Sequence, residues 1–294
     1  MPLGPTGIRY IEGPMDHEVG VICLRGKSLR VPALIANYTC HPVHVFPRQV
    51  ISPDWPGALA DELRATFGAT FRATFGATFG ESCVPVVTNG ACGNINPWPP
   101  FDPDYVEDHR RMGRVLAGVV ARVTEGLVFT DRATLDWRVR RVELPLRELS
   151  PEELSWAESV LGSNPHPNWT DDSHSGVDYD WTVAASMYSV ELARRRKPTL
   201  DYEIQVLRIG DAAIVGLPGE PFVEGQLAIK LASPAYPTYI AHCTSHYVGY
   251  IPTRAALTRG GHEVNTRYWA KLMPDALDMI VAAAGETLRE VFPA

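Results

Sequence analysis

The run Val31-Pro32-Ala33-Leu34-Ile35-Ala36-Asn37-Tyr38 carries no charged side chain and is too short for a stable helix. Such a run reads as a strand buried on both faces, and a strand of that kind needs a sheet with helices laid over it. Other segments repeat the pattern. Val84-Pro85-Val86-Val87-Thr88 is a second short strand, Thr134 to Val139 alternates like a half-buried one, and Thr238 to Ala241 is another. Ile204, Val206 and Ile209 alternate before Gly210-Asp211, with Ala212 to Val215 running back as a hairpin. Between these lie segments of helical spacing. Leu59, Leu63 and Phe67 recur every four residues after Ser52-Pro53-Asp54-Trp55-Pro56-Gly57, and helices are expected over 106–125, 221–232 and 266–291. Asn164 to Asp180 holds Pro, His, Asn, Asp, Ser and Gly without period and reads as a long surface loop. The expected fold is therefore an α/β layered sandwich, helices packed on a mixed β-sheet, with residues 1–294 forming one domain.

Composition narrows the classes of function. Hydrophobic residues make up 45% of the 294 residues, enough for a real core. Basic residues number 27 against 34 acidic ones, a net charge of −7, and no basic run exceeds Arg194-Arg195-Arg196-Lys197, so nucleic acid is not an expected partner. Cys23, Cys40, Cys83, Cys92 and Cys243 show no Cys-x-x-Cys spacing, which leaves neither a disulfide framework nor a thiolate zinc module. No apolar stretch reaches the roughly 18 residues of a spanning helix, and Met1 to Pro5 lacks the pattern of a signal peptide. A cytoplasmic location is the expectation for the chain as written, and secretion if the true start lies upstream.

One segment breaks the pattern. Residues 64–71, Arg-Ala-Thr-Phe-Gly-Ala-Thr-Phe, recur unchanged at 72–79. Eight added residues would lengthen a helix by about 12 Å and turn its apolar face by about 80°. A tolerated expansion at a helix end or loop is the simpler reading, and an exposed Phe stripe that recruits lipid or a partner is the other.

No nucleophile elbow, phosphate loop, dinucleotide fingerprint or His-Glu-x-x-His helix is present. The chemistry-bearing residues lie after strands instead. His41 follows the first apolar run, Glu220 follows the hairpin in Pro218-Gly219-Glu220-Pro221-Phe222, and His246-Tyr247 follow the strand at 238–241. Strand ends are where α/β proteins gather ligands, and such donors around an open position suit a catalytic zinc. Spacing alone favours the plainer reading, a core histidine at 41 and a helix N-terminal carboxylate at 220.

Five blocks in succession resemble the neutral/alkaline non-lysosomal ceramidase family: Asn37-Tyr38-Thr39-Cys40-His41-Pro42, Ile51 to Gly57, Gly90-Ala91-Cys92-Gly93-Asn94-Ile95-Asn96-Pro97, Pro218 to Phe222, and Ser245-His246-Tyr247-Val248-Gly249-Tyr250. The resemblance spans residues 16–265. It implies a zinc amidase that cleaves N-acylsphingosine into sphingosine and a fatty acid, acting here on a small-molecule or lipid amide. It assigns His41, Glu220 and Tyr247 as ligands of Zn2+. Asn96 stands at the position of the family's catalytic serine, and its amide can hydrogen-bond but cannot serve as nucleophile or base. The family's first zinc histidine lies upstream of anything in this chain, so an N-terminally truncated catalytic domain is expected, with His44, His246 or His262 as stand-ins. The alternative is a catalytically silent ceramidase-like remnant that binds lipid or a partner through exposed apolar surface.

Overall fold

The computed structural model describes residues 8, 10–26, 32–46, 48, 50–69, 83–102 and 104–293. Most of the sequence repeat, residues 70–79, lies outside them.

The first sheet has three strands in the order β1 (Gly20–Leu24), β2 (Ala33–Tyr38) and β3 (Val84–Asn89), with β1 antiparallel and β3 parallel to β2. Its apolar residues Leu34 and Ala36 pack under α1 (Asp54–Ala69) and α2 (His109–Glu125), where Trp55, Leu59, Leu63, Leu116 and Val120 complete one core. Burial on both faces, expected from the charge-free run, is not complete: Leu34, Ala36 and Asn37 are buried, but Ala33, Ile35 and Tyr38 are only partly so, and Val84 and Val86, which pair with Ala33 and Ile35 from β3, are exposed.

The second sheet has the order β4 (Leu135–Pro145), β5 (Thr199–Ile209), β6 (Ala212–Leu217) and β8 (Thr238–His242). The hairpin at Gly210-Asp211 pairs Ile209 with Ala212, as the alternation indicates, while β6 and β8 run parallel. Every residue of β6 is buried. The helix α7 (Ala276–Val291) lies across β4 and β5, so that Ile280, Ala284 and Leu288 meet Tyr202, Ile204, Val215 and Ile240 in the largest core cluster. Truncating one of these large side chains to Ala typically costs about 2–5 kcal/mol. Strand β8 also abuts β2 and β3, which brings the two sheets together. A short parallel pair, β7 (Glu220–Pro221) and β9 (Tyr250–Ile251), closes the layer between them. The architecture is the mixed α/β sandwich that the alternation of runs implied.

Three further expectations need correction. The last helix begins at Ala276, ten residues later than the pattern suggested, because Pro274 cannot sit inside a helix and residues before it pair elsewhere, Leu272 with Leu146 and Ala270 with Gly249. Two helices add to the scheme: α3 (Pro151–Ser163), opened by a capping box between Ser150 and Glu153, and α4 (Tyr179–Arg196). The loop between them is correspondingly shorter, 164–178, and is pinched by a bridge between Trp169 and Val177. The remaining helices, α5 (Val223–Ala232) and α6 (Arg254–Leu257), follow β7 and β9.

Candidate active site

The C-terminal ends of β2, β3, β6 and β8 meet where the sheets join. Three residues past β2, His41 is anchored by its own backbone, whose N–H donates to the Ile95 carbonyl at 2.9 Å, and by Nδ1, 3.2 Å from the same oxygen. The turn that supplies Ile95 follows β3 and is tied to the Glu220 segment. Gly93 N–H donates to the Pro221 carbonyl at 3.0 Å, and the Asn94 carbonyl oxygen of the side chain accepts from Val223 N–H at 2.9 Å. A Cβ on Gly93 would sit 2.4 Å from the Glu220 carbonyl, so only glycine lets the two segments lie this close.

Glu220 is placed by the turn after β6. Gly219 has φ +73°, and a Cβ there would meet the Gly249 carbonyl and the Val248 side chain at 2.5 Å. The loop after β8 runs alongside, with Cys243 N–H donating to the Gly219 carbonyl at 2.9 Å and Glu220 N–H to the Gly249 carbonyl at 2.8 Å. Cys243 and Ser245 take positive φ values of 52° and 60°, a conformation that non-glycine residues adopt at a cost and that bends the loop toward Glu220.

These supports bring His41, Glu220 and Tyr247 together. His41 Nε2 lies 2.7 Å from Glu220 Oε2, and Tyr247 Oη donates to Glu220 Oε1 at 2.7 Å. Burial disfavours charge on both His41 and Glu220, but their mutual hydrogen bond and attraction outweigh it. The imidazole is held above its usual pKa and the carboxyl below it. Tyr247 is pushed the other way: burial, then its bond to Glu220, raise its phenol pKa.

A fourth group stands beside them. His242, the last residue of β8, is close enough to feel both charges. Burial drives its pKa down to about 4, with Glu220 pulling it back up and His41 pressing it further down. Its ring also lies 3.8 Å from the Cys92 sulfur. Sequence reading placed a strand end at Ala241 without drawing on the histidine that follows, and the proximity to a strand terminus was the available signal.

The suggested stand-ins do not converge on the site. His44 is buried against Asp54, with Nδ1 2.9 Å from Oδ1. His262 stacks on Trp269 at 5.3 Å between ring centres, and His246 is exposed. Asn96 is exposed and lines an adjoining cavity with Tyr38, Cys40 and Tyr105; among the described residues it makes no hydrogen bond to His41, Glu220 or Tyr247.

Among the described residues no three His, Cys, Asp or Glu side chains gather as a metal cluster. His41, Glu220 and Tyr247 reach three donors only through the phenol. One imidazole nitrogen, one carboxylate and one phenol oxygen lie together at the strand-end crevice, a mixed nitrogen and oxygen donor set of the kind that divalent metals take.

No protein-family model matches the chain, and no curated protein sequence matches it at a significant level. Solved structures do. A ceramidase complexed with C2 superposes with a TM-score of 0.58 at 15% identity, covering 93% of this chain and 48% of that one. The neutral ceramidase from Pseudomonas aeruginosa gives 0.56 at 16% identity, covering 94% of this chain and 47% of that one. The chain spans about half the length of these structures, and over that span it carries the neutral ceramidase fold.

Proposed function

We propose that the chain is a zinc-dependent amide hydrolase of neutral ceramidase type, acting on N-acylsphingosine or on another linear amide. The observation that carries this reading is the Glu220 carboxylate held between His41 and Tyr247 by two 2.7 Å hydrogen bonds, at the strand ends of a fold shared with neutral ceramidase.

His41, Glu220 and Tyr247 would hold the ion, which when bound supplies an activated water and polarisation of the amide carbonyl. The chain's own residues supply the rest. The Ile95 carbonyl, as acceptor of His41 Nδ1–H, fixes the ring so that Nε2 faces Glu220. Tyr247 places a hydroxyl at the rim, its proton shared with Glu220. His242 stays neutral down to about pH 4 and offers a lone pair or an N–H without adding charge beside His41. Asn96, on the turn that also anchors His41, supplies an amide to orient substrate from the neighbouring cavity.

The test is direct. Protein loaded with zinc, freed of excess metal and measured by plasma emission should hold about one ion per chain and release fatty acid from a short-chain N-acylsphingosine. Glu220→Gln should lose both. Absence of zinc from the wild type, or full turnover in Glu220→Gln, would overturn the reading.

A further inference from the structure

The turn after β3 faces two ways at adjacent residues. The Ile95 carbonyl accepts from the His41 backbone N–H and lies 3.2 Å from its Nδ1, while the Asn94 side chain reaches toward the segment that carries Glu220. Helix α5 begins three residues after Glu220, and its N-cap is Phe222, a side chain with no hydrogen-bonding atom. The first amide of a helix has no partner inside the helix. Here Val223 N–H donates to Asn94 Oδ1 at 2.9 Å, so a residue 129 positions earlier supplies the acceptor that a capping side chain would otherwise provide.

The other half of that amide is used as well. Asn94 Nδ2 donates to Glu224 Oε2 at 2.9 Å. An acceptor toward Val223 and a donor toward a carboxylate is a pattern that an amide fills and a carboxylate does not. Two ties therefore join the turn to the Glu220 segment: the backbone bond from Gly93 N–H to the Pro221 carbonyl, and the Asn94 side chain at Val223 and Glu224. A tie at Pro221 alone lets the segment swivel about that point, and the second, two residues on, stops the swivel. The turn itself does not depend on Asn94. Ala91 N–H donates to Gln226 Oε1 at 2.7 Å and Ile95 N–H to the Cys92 carbonyl at 2.9 Å, and Val223 packs against Cys92 and Ile95.

We propose that Asn94 is a positioning residue for the His41–Glu220 pair: its amide caps α5 from the turn whose next residue holds the imidazole, and so fixes the Glu220 carboxylate at His41 Nε2. One dipeptide, Asn94-Ile95, then sets both partners, the side chain of the first acting on Glu220 and the carbonyl of the second on His41. That the pair so held is a metal site rests on the hydrolase reading; the cap and its grip on the pair stand on the geometry.

The test reads the pair without metal and then with it. In zinc-free protein the His41 ring N–H that meets Glu220 gives a downfield proton resonance, as hydrogen bonds to ionised groups do. Asn94→Asp, which sets two carboxylates against each other, should move that signal upfield, and Glu224→Gln, which still accepts from the Asn94 amide, should leave it in place. Asn94→Asp combined with Glu224→Gln rebuilds the donor and acceptor pattern with the roles exchanged and should return the signal to its wild-type position. Asn94→Ala should move it upfield without any change of charge, and serves alone if Asn94→Asp does not fold. Zinc affinity, by competition with a chromogenic chelator, should fall about 10-fold in Asn94→Asp and Asn94→Ala and recover in the double variant. An unmoved signal in Asn94→Ala, no recovery in the double variant, or a shift of opposite sign in Glu224→Gln, which would assign the effect to charge alone, overturns the proposal. If the wild type takes up no zinc while the signal follows the expected pattern, the hydrolase reading falls and this one stands. If zinc binds and amide is hydrolysed while the signal is the same in wild type and Asn94→Ala, this one falls alone.

Discussion

The Asn37 side-chain amide reaches from β2 to the Ile240 carbonyl of β8 at 2.8 Å while donating to the Thr88 hydroxyl of β3 at 2.9 Å. One buried nitrogen thus fastens three strands from two sheets, and the ends of those strands carry His41, the turn at 90–97 and His242. Replacing it leaves a buried carbonyl without a partner. Asn37→Leu is expected to lower stability by about 2–3 kcal/mol. A urea unfolding curve followed by circular dichroism checks this, and an unchanged midpoint would show that the fastening contributes nothing.

Tyr247 is 46% exposed, so its loss should matter to the site and not to the fold. Tyr247→Phe is expected to change stability by less than about 1 kcal/mol. Zinc affinity should fall by at least about 10- to 100-fold, because the ion would lose the phenol oxygen proposed as its third ligand and Glu220 would lose the donor that orients Oε1. Competition against a chromogenic chelator measures the affinity, and equal affinity in both proteins would remove the phenol from the donor set.

Much of the site could be read from the chain because strand termination and turn chemistry are local. His41 and Glu220 each follow an apolar run, and both stand at strand ends in the fold. Where distant partners decide, local pattern fails. The segment 266–275 has helical spacing, yet Leu272 pairs with Leu146 and Pro274 blocks the helix, so the element starts at Ala276. His242 carries no motif, and only the packing of β8 beside β6 reveals its closeness to Glu220. The α3 start was legible in Ser150-Pro151-Glu152-Glu153, a capping box followed by helix formers. Tyr105 could not be read at all, since its contact with His44 crosses 61 residues.

The Asp16–Lys230 pair sets a pH dependence. Burial alone would raise the Asp16 pKa, but hydrogen bonds from Lys230, the Glu18 backbone and Gln226 outweigh it and hold the carboxyl below 3.8. Lys230, opposed by its own burial, is held above 10.5 by Asp16 and Glu18. The carboxylate's contribution is fully present above its unfolded pKa and is lost as pH falls through the lower folded value. The ammonium's contribution is lost as pH rises past 10.5. Asp16→Asn should therefore cost about 1–2 kcal/mol at neutral pH and flatten the fall in stability below about pH 4. Denaturant midpoints at pH 3, 5 and 7 decide it, and parallel losses in both proteins between pH 5 and 3 would count against the pair.

Asn96 tests the turn after β3. In the proposed hydrolase, Asn96→Ala is expected to reduce amide turnover about tenfold, the worth of one hydrogen bond to substrate, while leaving zinc content unchanged, since the side chain makes no hydrogen bond to His41, Glu220 or Tyr247 among the described residues. Separate measurement of kcat and KM shows whether the amide acts on bound substrate, and wild-type values for both would exclude it from the reaction.

The contact between His41 and Glu220 spans 179 residues of chain. Closing so long a loop is entropically unfavourable on its own, so the crevice depends on the sheets that bring β2 and β6 together. An ion held there as proposed would meet a finished cradle rather than an organising centre, in contrast to a zinc finger whose fold the ion itself creates. Loading with metal would then report that folding is complete, and a chain arrested with either sheet unpaired would remain unloaded however much zinc surrounds it.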